Sequence, residues 1–463
     1  MFRYLKKVFF LLGNDKKKIP LIILLFILSS MLEIVGIGVI APYISLFSDP
    51  NAAQELSNFA NTVFHQNISI EQIFIYSGIV LTFIFLLKTI ITLFVKGVII
   101  RFSQKQQVRL RTQLMDQYQS LPYSEYISRN SAEYIHSIQN LAEQYASKVV
   151  QSFLYIISDG LLVIFILMLL AWTDLVVFLV LLALFLIISI GYDYFFSRNL
   201  KKHGELANSA ATLMVKNLHE GIEGLKEIRV FGKEDYFYQN VVKYAEQYAH
   251  SHVKSQITTM APRYIIEIFV VFFIVSMATK SFIFDKDLTN SLVTIGVFGV
   301  ASLRLIPSVN MLLTSVTHLR FNYDVVERLF NDLRNIRPLK TRKGAIIIND
   351  EFEEIALKGV NFTYAGTDKK AIRDLSITIH SGDSIGFIGC SGSGKTTLID
   401  IMLGLLEPQT GVIELNHIDI KNNMHRWREQ VAYLPQQVFL IDDTLRNNIA
   451  LGESQENIDD KRI

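Results

Sequence analysis

Apolar positions along this chain gather into long, nearly unbroken runs before about residue 320, and the pattern turns to mixed polarity after about residue 340. The runs fall near 19–47, 73–102, 149–172, 175–196, 264–284 and 291–316. A helix needs about 20 residues to cross roughly 30 Å of hydrocarbon, so the pattern predicts six transmembrane helices. The third and fourth runs meet at Trp172-Thr173-Asp174, which predicts a helical hairpin with a tight turn. The first run exceeds the roughly 7–15 residues of a signal-peptide core, and no small-x-small cleavage site ends it. It reads as a retained helix, with Pro20 tolerated in its first turn.

The connections are unequal. Segments 103–148 and 197–263 are rich in Gln, Lys, Glu, Tyr and Leu, with few Gly or Pro, and read as helix. Twenty helical residues reach about 30 Å, so paired helices here extend well beyond the bilayer. They form either solvated helical loops or a stalk that couples the membrane part to a cytoplasmic engine. In 51–64, Leu56, Phe59, Ala60, Val63 and Phe64 repeat with helical spacing. Such a helix would rest in the lipid interface or pack against the helix ends.

Composition agrees with a membrane chain. Its 463 residues are 50% hydrophobic and only 19% charged, below the roughly 25% charge of soluble domains. The 45 basic and 43 acidic residues nearly cancel, which argues against a nucleic-acid binder. A single cysteine, Cys390, excludes an internal disulfide framework and a Cys-rich metal site. Lys6, Lys7 and Lys16 to Lys18 precede the first run, while 48–72 has no Lys or Arg. Arg101, Lys105, Arg109 and Arg111 follow the second run, and Arg198, Lys201 and Lys202 the fourth. The positive-inside rule places the N-terminus, and everything after about 320, in the cytoplasm of a multi-pass protein of the cell membrane. The expected domains are 1–320 in the membrane, a linker at 321–340, and a domain of ordinary polarity at 341–463.

Ionisable residues inside apolar runs are costly and by default mark function. Glu33, Lys88 and Arg304 lie near the middle of their runs, and Glu267 near the start of the fifth. They read either as buried ion pairs, such as Glu33 with Lys88, or as the lining of a polar translocation cavity. Pro307, one turn after Arg304, should kink or loosen the sixth helix.

Beyond residue 340, Ser384–Ile388 reads as a buried strand and Thr397–Leu403 as helix. Between them Gly389, Cys390, Ser391, Gly392, Ser393, Gly394, Lys395 and Thr396 match G-x-x-x-x-G-K-[ST] in full. Glycines let such a loop curl so that backbone N–H groups surround phosphates, and a helix N-terminus adds positive potential. Lys395 is expected to reach the β- and γ-phosphates, and the Thr396 hydroxyl to ligate Mg²⁺. Thr397 joins the cofactor-binding candidates, whereas Cys390 occupies a variable position and carries no assigned chemistry.

Six spans and this loop on one chain resemble the ATP-binding cassette exporters over nearly the whole length. Asn361-Phe362-Thr363-Tyr364 resembles the A-loop, which implies that Tyr364 stacks on adenine; a core tyrosine is the alternative. Tyr433-Leu434-Pro435-Gln436-Gln437 resembles the Q-loop, which implies that Gln436 lies near Mg²⁺ and the attacking water. The segment from Gly224 to Glu234 resembles the second cytoplasmic coupling region. The resemblance implies an all-α six-helix transmembrane domain of the type IV exporter kind. A truncated α/β P-loop domain follows it.

The sequence holds no LSGGQ-like signature, no strand ending in a Walker B Asp-Glu pair, and no switch histidine. In the family these supply the general base and the opposite half of the ATP sandwich. The expectation is a fragment or truncated product that holds nucleotide phosphates but does not hydrolyse ATP alone. The first span from Glu33 to Pro42, with the helix at 51–64, looks most like the flippases of lipid-linked oligosaccharides. That likeness implies an anionic pyrophosphate head passing Lys88 and Arg304 while a polyprenyl tail stays in lipid. The implied function is ATP-driven export or flipping of an amphiphile, with multidrug or other lipid export using the same architecture. The implied assembly is a homodimer, or a heterodimer with a full-length paralogue. A non-hydrolysing subunit that regulates such a paralogue is the non-enzymatic alternative. A P-loop kinase tethered to a channel explains neither the long extensions nor the A-loop and Q-loop spacing.

Overall fold

The computed structural model describes residues 2–48, 69–173, 200–284, 288–335, 352–422, 424–435 and 438–463, with isolated residues between these stretches. The helix expected at 51–64 and the fourth span at 175–196 lie largely outside the described residues, and Gln436 lies wholly outside them. Two compact units form: Met1–Leu121 with Arg129–Pro338, and Pro122–Ser128 with Leu339–Ile463.

The first unit is helical. Helix α1 (Phe2–Leu12) leads through a 3₁₀ segment, Gly13–Lys18, into α2 (Ile19–Ser48). Helix α3 (Ile70–Gln119) has 50 residues and is about 75 Å long at 1.5 Å per residue. Its start is fixed by a capping box between Ser69 and Gln72, which satisfies two otherwise unpaired donors. The short α4 (Tyr123–Tyr126) belongs to the second unit. Helix α5 (Ser131–His136), capped by Asn130, passes through π-helical turns at Ser137–Leu141 and Tyr145–Val150 into α6 (Gln151–Thr173). There follow α7 (Leu200–Glu223), α8 (Leu225–Phe231), α9 (Glu234–Phe284), α10 (Leu288–Phe321) and α11 (Tyr323–Asn335).

Among the described residues four helical stretches are long and apolar enough to cross a membrane: Arg3–Ile40, Ile70–Gln119, Ser131–Trp172 and Gly299–Phe321. On α3 the exposed Ile75, Ile79, Phe83, Leu86, Ile90 and Leu93 recur every three or four residues. That spacing gathers them into one outward apolar stripe, as a lipid-facing surface requires. Inside, Val8, Leu11 and Leu12 of α1 meet Ile99, Leu110 and Leu114 of α3. Tyr145 is fully buried in the same core, and its hydroxyl donates to the Val8 carbonyl at 3.0 Å.

Residues 321–340, expected as a linker, instead begin with α11. Its Val325, Val326 and Leu329 are fully buried in the core, the inward stripe of an amphipathic helix. Helix α7 passes so close to the end of α10 that a Cβ on Gly204 would lie 1.8 Å from the Phe321 carbonyl oxygen. Helix α10 runs continuously through Pro307.

The second unit is built on four antiparallel strands in the order β2-β1-β3-β4. They are β1 (Glu354–Thr363), β2 (Lys370–His380), β3 (Thr410–Leu415) and β4 (Ile418–Asp419). Helix α12 (Lys395–Met402) packs Leu398 and Ile401 against Leu357, Val360 and Phe362 of β1. Helix α13 (Met424–Glu429) closes that core with Trp427, whose Nε1 donates to the Met402 carbonyl at 2.7 Å. Helix α14 (Leu445–Ile449) is capped by Thr444.

One expectation fails here. Ser384–Ile388 is not a buried strand: the segment is irregular, and Ile388 is fully exposed. A buried strand needs neighbours for its N–H and C=O groups, and the described sheet places none beside this segment. Apolar character alone does not supply that pairing.

Candidate functional site

The loop before α12 is shaped by contacts too close for ordinary side chains. Gly394 has φ +95°, and a Cβ there would lie 2.6 Å from the Ala371 carbonyl oxygen. The Ser393 amide donates to the Cys390 carbonyl at 3.2 Å, which tightens the turn. Gly394 begins α12 with no side-chain cap, so the first-turn amides of the helix carry no capping acceptor. Lys395 folds back over the loop, its Nζ donating to the carbonyls of Gly389 at 2.8 Å and Cys390 at 2.9 Å. An uncapped helix start beneath a lysine is an arrangement that fits phosphate oxygens.

Around this loop the expected residues divide. Ser391, Gly392 and Ser393 are exposed along it, and Thr396 is exposed on the first turn of α12. Thr397 is buried, and its hydroxyl is 3.0 Å from the Tyr364 hydroxyl. Tyr364 therefore stands beside the first turn of α12. Its ring is half-buried, edge-on to Phe362 at 5.0 Å, and packs on the domain core. Tyr123, in the part of this unit contributed by 122–128, has its hydroxyl pKa pushed up by burial and by the negative charge of Asp400.

A second constellation lies in the first unit. The Glu33 side chain on α2 is completely buried, and its Oε1 is 2.7 Å from Lys88 Nζ on α3 and 2.7 Å from Arg304 Nε on α10. Three helices far apart in sequence are thus joined at one carboxylate. The approaches are ion-pair distances at poor hydrogen-bonding angles, so Glu33 Oε1 and Oε2 and Arg304 Nε lack well-directed partners among the described residues. The Lys88 and Arg304 side chains keep 16% and 31% exposure, against 0% for Glu33. The cations therefore face more open space while the carboxylate sits behind them.

The same region contains Asp159 on α6, which hydrogen-bonds Ser308 and lies within electrostatic reach of Arg304 and Lys96. Sequence reasoning missed Asp159, although the rule that singled out Glu33, a carboxylate inside an apolar run, applies to it equally. Ser302 and Ser308 on α10 are also buried. Glu267 is exposed on α9 and is not brought into this group.

Residues 19–305 match the family model of the ABC transporter transmembrane region, and residues 372–462 match the ABC transporter model. The chain belongs to the ABC transporter family. It is 24% identical over 364 residues to a Bacillus subtilis protein named for multidrug export (ATP-binding/permease protein YgaD), covering 76% of this chain and 60% of that one. It is 25% identical over 359 residues to an ATP-dependent lipid A-core flippase of Wigglesworthia glossinidia brevipalpis, with the same two coverages. The flippase of that name from Alcanivorax borkumensis is 26% identical over 357 residues, again covering 76% and 60%. The chain thus spans 60% of the length of these relatives. As an ABC transporter chain it joins a multi-pass membrane region to a phosphate-loop region, and each candidate constellation falls in one of them.

Proposed function

We propose that this chain forms the membrane region and part of the nucleotide-binding region of an ATP-driven exporter or flippase. Its substrate is an amphiphile with an anionic head, such as a lipid or lipid-linked oligosaccharide. In this reading residues 1–320 form the membrane domain with six spans, and 341–463 form the nucleotide-binding part on the cytoplasmic side. Two copies, or one copy and a longer paralogue, make the working dimer.

The observation that carries the reading is the Glu33–Lys88–Arg304 group inside an apolar bundle. A membrane-buried charge cluster is expensive, and one with its cations on the accessible side suits an anionic group that crosses the bilayer. An arriving phosphate can take the place that Glu33 holds between the two cations. Relatives named for lipid A-core flipping and for multidrug export support an amphiphilic cargo.

The loop at 389–396 would hold the phosphates of ATP, with Mg²⁺ screening their charge. Lys395 would exchange its contacts with the Gly389 and Cys390 carbonyls for phosphate oxygens. Thr396, an exposed residue, would offer its hydroxyl to the metal, and Tyr364, beside the first turn of α12, would meet the base. The role of Gln436 near the metal and water belongs to the same proposal.

The test is transport in proteoliposomes by the protein as it occurs in its native membrane. Lys395→Ala should abolish ATP-dependent movement of the amphiphile. Undiminished transport by that variant sinks the assignment.

A further inference from the structure

Away from both constellations, the first unit holds a cavity of about 750 Å³ walled by α1, the start of α7, and α11. Each wall adjoins a membrane run: α1 precedes α2, α11 follows α10, and Lys201 stands shortly after the apolar run at 175–196. The cavity therefore lies at the membrane boundary.

Its lining is strongly cationic, with Arg3, Lys6, Lys7, Lys201 and Arg334. Three carboxylates share it, and each already has a cation. Glu327 is bound by Lys7, Asp324 by Arg328 Nε at 2.7 Å, and Glu205 lies 3.8 Å from Lys201 Nζ. Among the described residues neither Arg3 nor Arg334 has a carboxylate partner, and both are exposed. Apart from Asn331, the remaining lining is aromatic. Phe10 meets Phe330 edge-on at 5.1 Å, Arg334 sits over the Phe330 ring at 5.6 Å, and Lys201 lies 4.0 Å over Tyr323. Phe10 is 49% exposed, so an apolar surface continues from the cationic pocket toward its surroundings.

Positive charge without a counter-ion, set over aromatic rings at a membrane boundary, is chemistry that holds a phosphate ester with an apolar attachment. We propose that this cavity is a phosphate-ester binding site, filled by the headgroup of an anionic phospholipid or by a free phosphate. It is separate from the transport pathway, and it requires only that the chain sits in a membrane. An occupant would tie α1 to α11 and so couple the local lipid composition to the helix that leads out of the membrane region.

The test uses the full chain in detergent, titrated with phosphatidylglycerol and followed by native mass spectrometry. One lipid should bind ahead of all others, and phosphatidylcholine should not replace it. The variants Arg3→Gln and Arg334→Gln should each weaken that binding roughly fivefold, and the pair more than tenfold. Lys243→Gln with Lys254→Gln, two exposed cations on α9, should leave it unchanged. Both arginines are exposed, so their loss threatens no core. Arg334→Lys should keep most of the binding and separates charge from folding. Inorganic phosphate added in competition tells the sources apart. Displacement assigns the site to free phosphate, and failure to displace assigns it to the lipid headgroup. Equal binding by the Arg3/Arg334 and Lys243/Lys254 double variants, or no preferred lipid at all, overturns the proposal.

Discussion

The phosphate loop and the intramembrane charge cluster hold their lysines in opposite ways. Lys395 is reached through eight consecutive residues, lies over a turn, and donates to carbonyls that phosphate oxygens can replace. Lys88 meets its partner only because α2, α3 and α10 converge, and the carboxylate it faces has no access to water. The first lysine rests on backbone carbonyls of its own loop; the second rests on a buried carboxylate of another helix. A local site can therefore lose its charge with little harm to folding, whereas a site assembled from distant helices cannot.

Removing one charge from each site tests that contrast most severely. Glu33→Gln leaves two cations facing each other inside the bundle and should cost about 3–5 kcal/mol in thermal unfolding of the detergent-solubilised protein. Lys395→Ala, in the same assay without nucleotide, should change stability by about 0.5 kcal/mol or less. Similar losses from the two variants would break the comparison.

A buried titratable group on α5, ahead of the apolar run at 149–172, extends it to pH. His136 on α5 is 1% exposed, and burial, helped by Arg328, pushes its pKa down to about 4 from 6.5. Its Nδ1 is 3.1 Å from Asn140 Nδ2, and Nε2 has no hydrogen-bond partner among the described residues. The unfolded chain takes up a proton below about pH 6.5 while the folded one does so only near 4. The neutral imidazole thus contributes stability that is whole above pH 6.5 and is lost as pH falls toward 4. The loss reaches about 3 kcal/mol, and unfolding midpoints measured across that window should show it. His136→Gln should flatten the slope.

Two smaller changes sharpen the account of the loop. Gly394→Ala forces a positive φ on an L side chain and a contact with the Ala371 carbonyl, and should cost about 1–3 kcal/mol in the second unit's unfolding. Tyr364→Phe removes only the hydroxyl bond to Thr397 and should cost about 1 kcal/mol. If the ring stacks on adenine, nucleotide titration should give Tyr364→Phe near-normal affinity and Tyr364→Ala a clear loss. Equal affinity for both variants assigns Tyr364 to the core alone.

The difference between the sites also sets what the sequence could reveal. The loop at 389–396 could be singled out whole because its motif is carried by eight consecutive residues. The charge cluster was legible only as misplaced ions. Glu33, Lys88 and Arg304 were visible one by one, but the sequence left ion pair and cavity equally open, since nothing local specifies which helices meet. Asp159 obeyed the same rule and was passed over. Helix α11 was hidden because its apolar stripe is short and polar residues surround it. Ser384–Ile388 shows the converse error, in which an apolar stretch was credited with a partner strand that no local signal guarantees.

The central claim is that Lys88 and Arg304 select an anionic head that ATP then drives across the bilayer. It is tested most directly by comparing two labelled lipids in proteoliposomes of the native protein, one anionic and one zwitterionic but otherwise alike. The account predicts ATP-dependent movement that favours the anionic lipid, with the preference reduced in Arg304→Gln while nucleotide binding is kept. Equal movement of both lipids, or a preference untouched by Arg304→Gln, contradicts it.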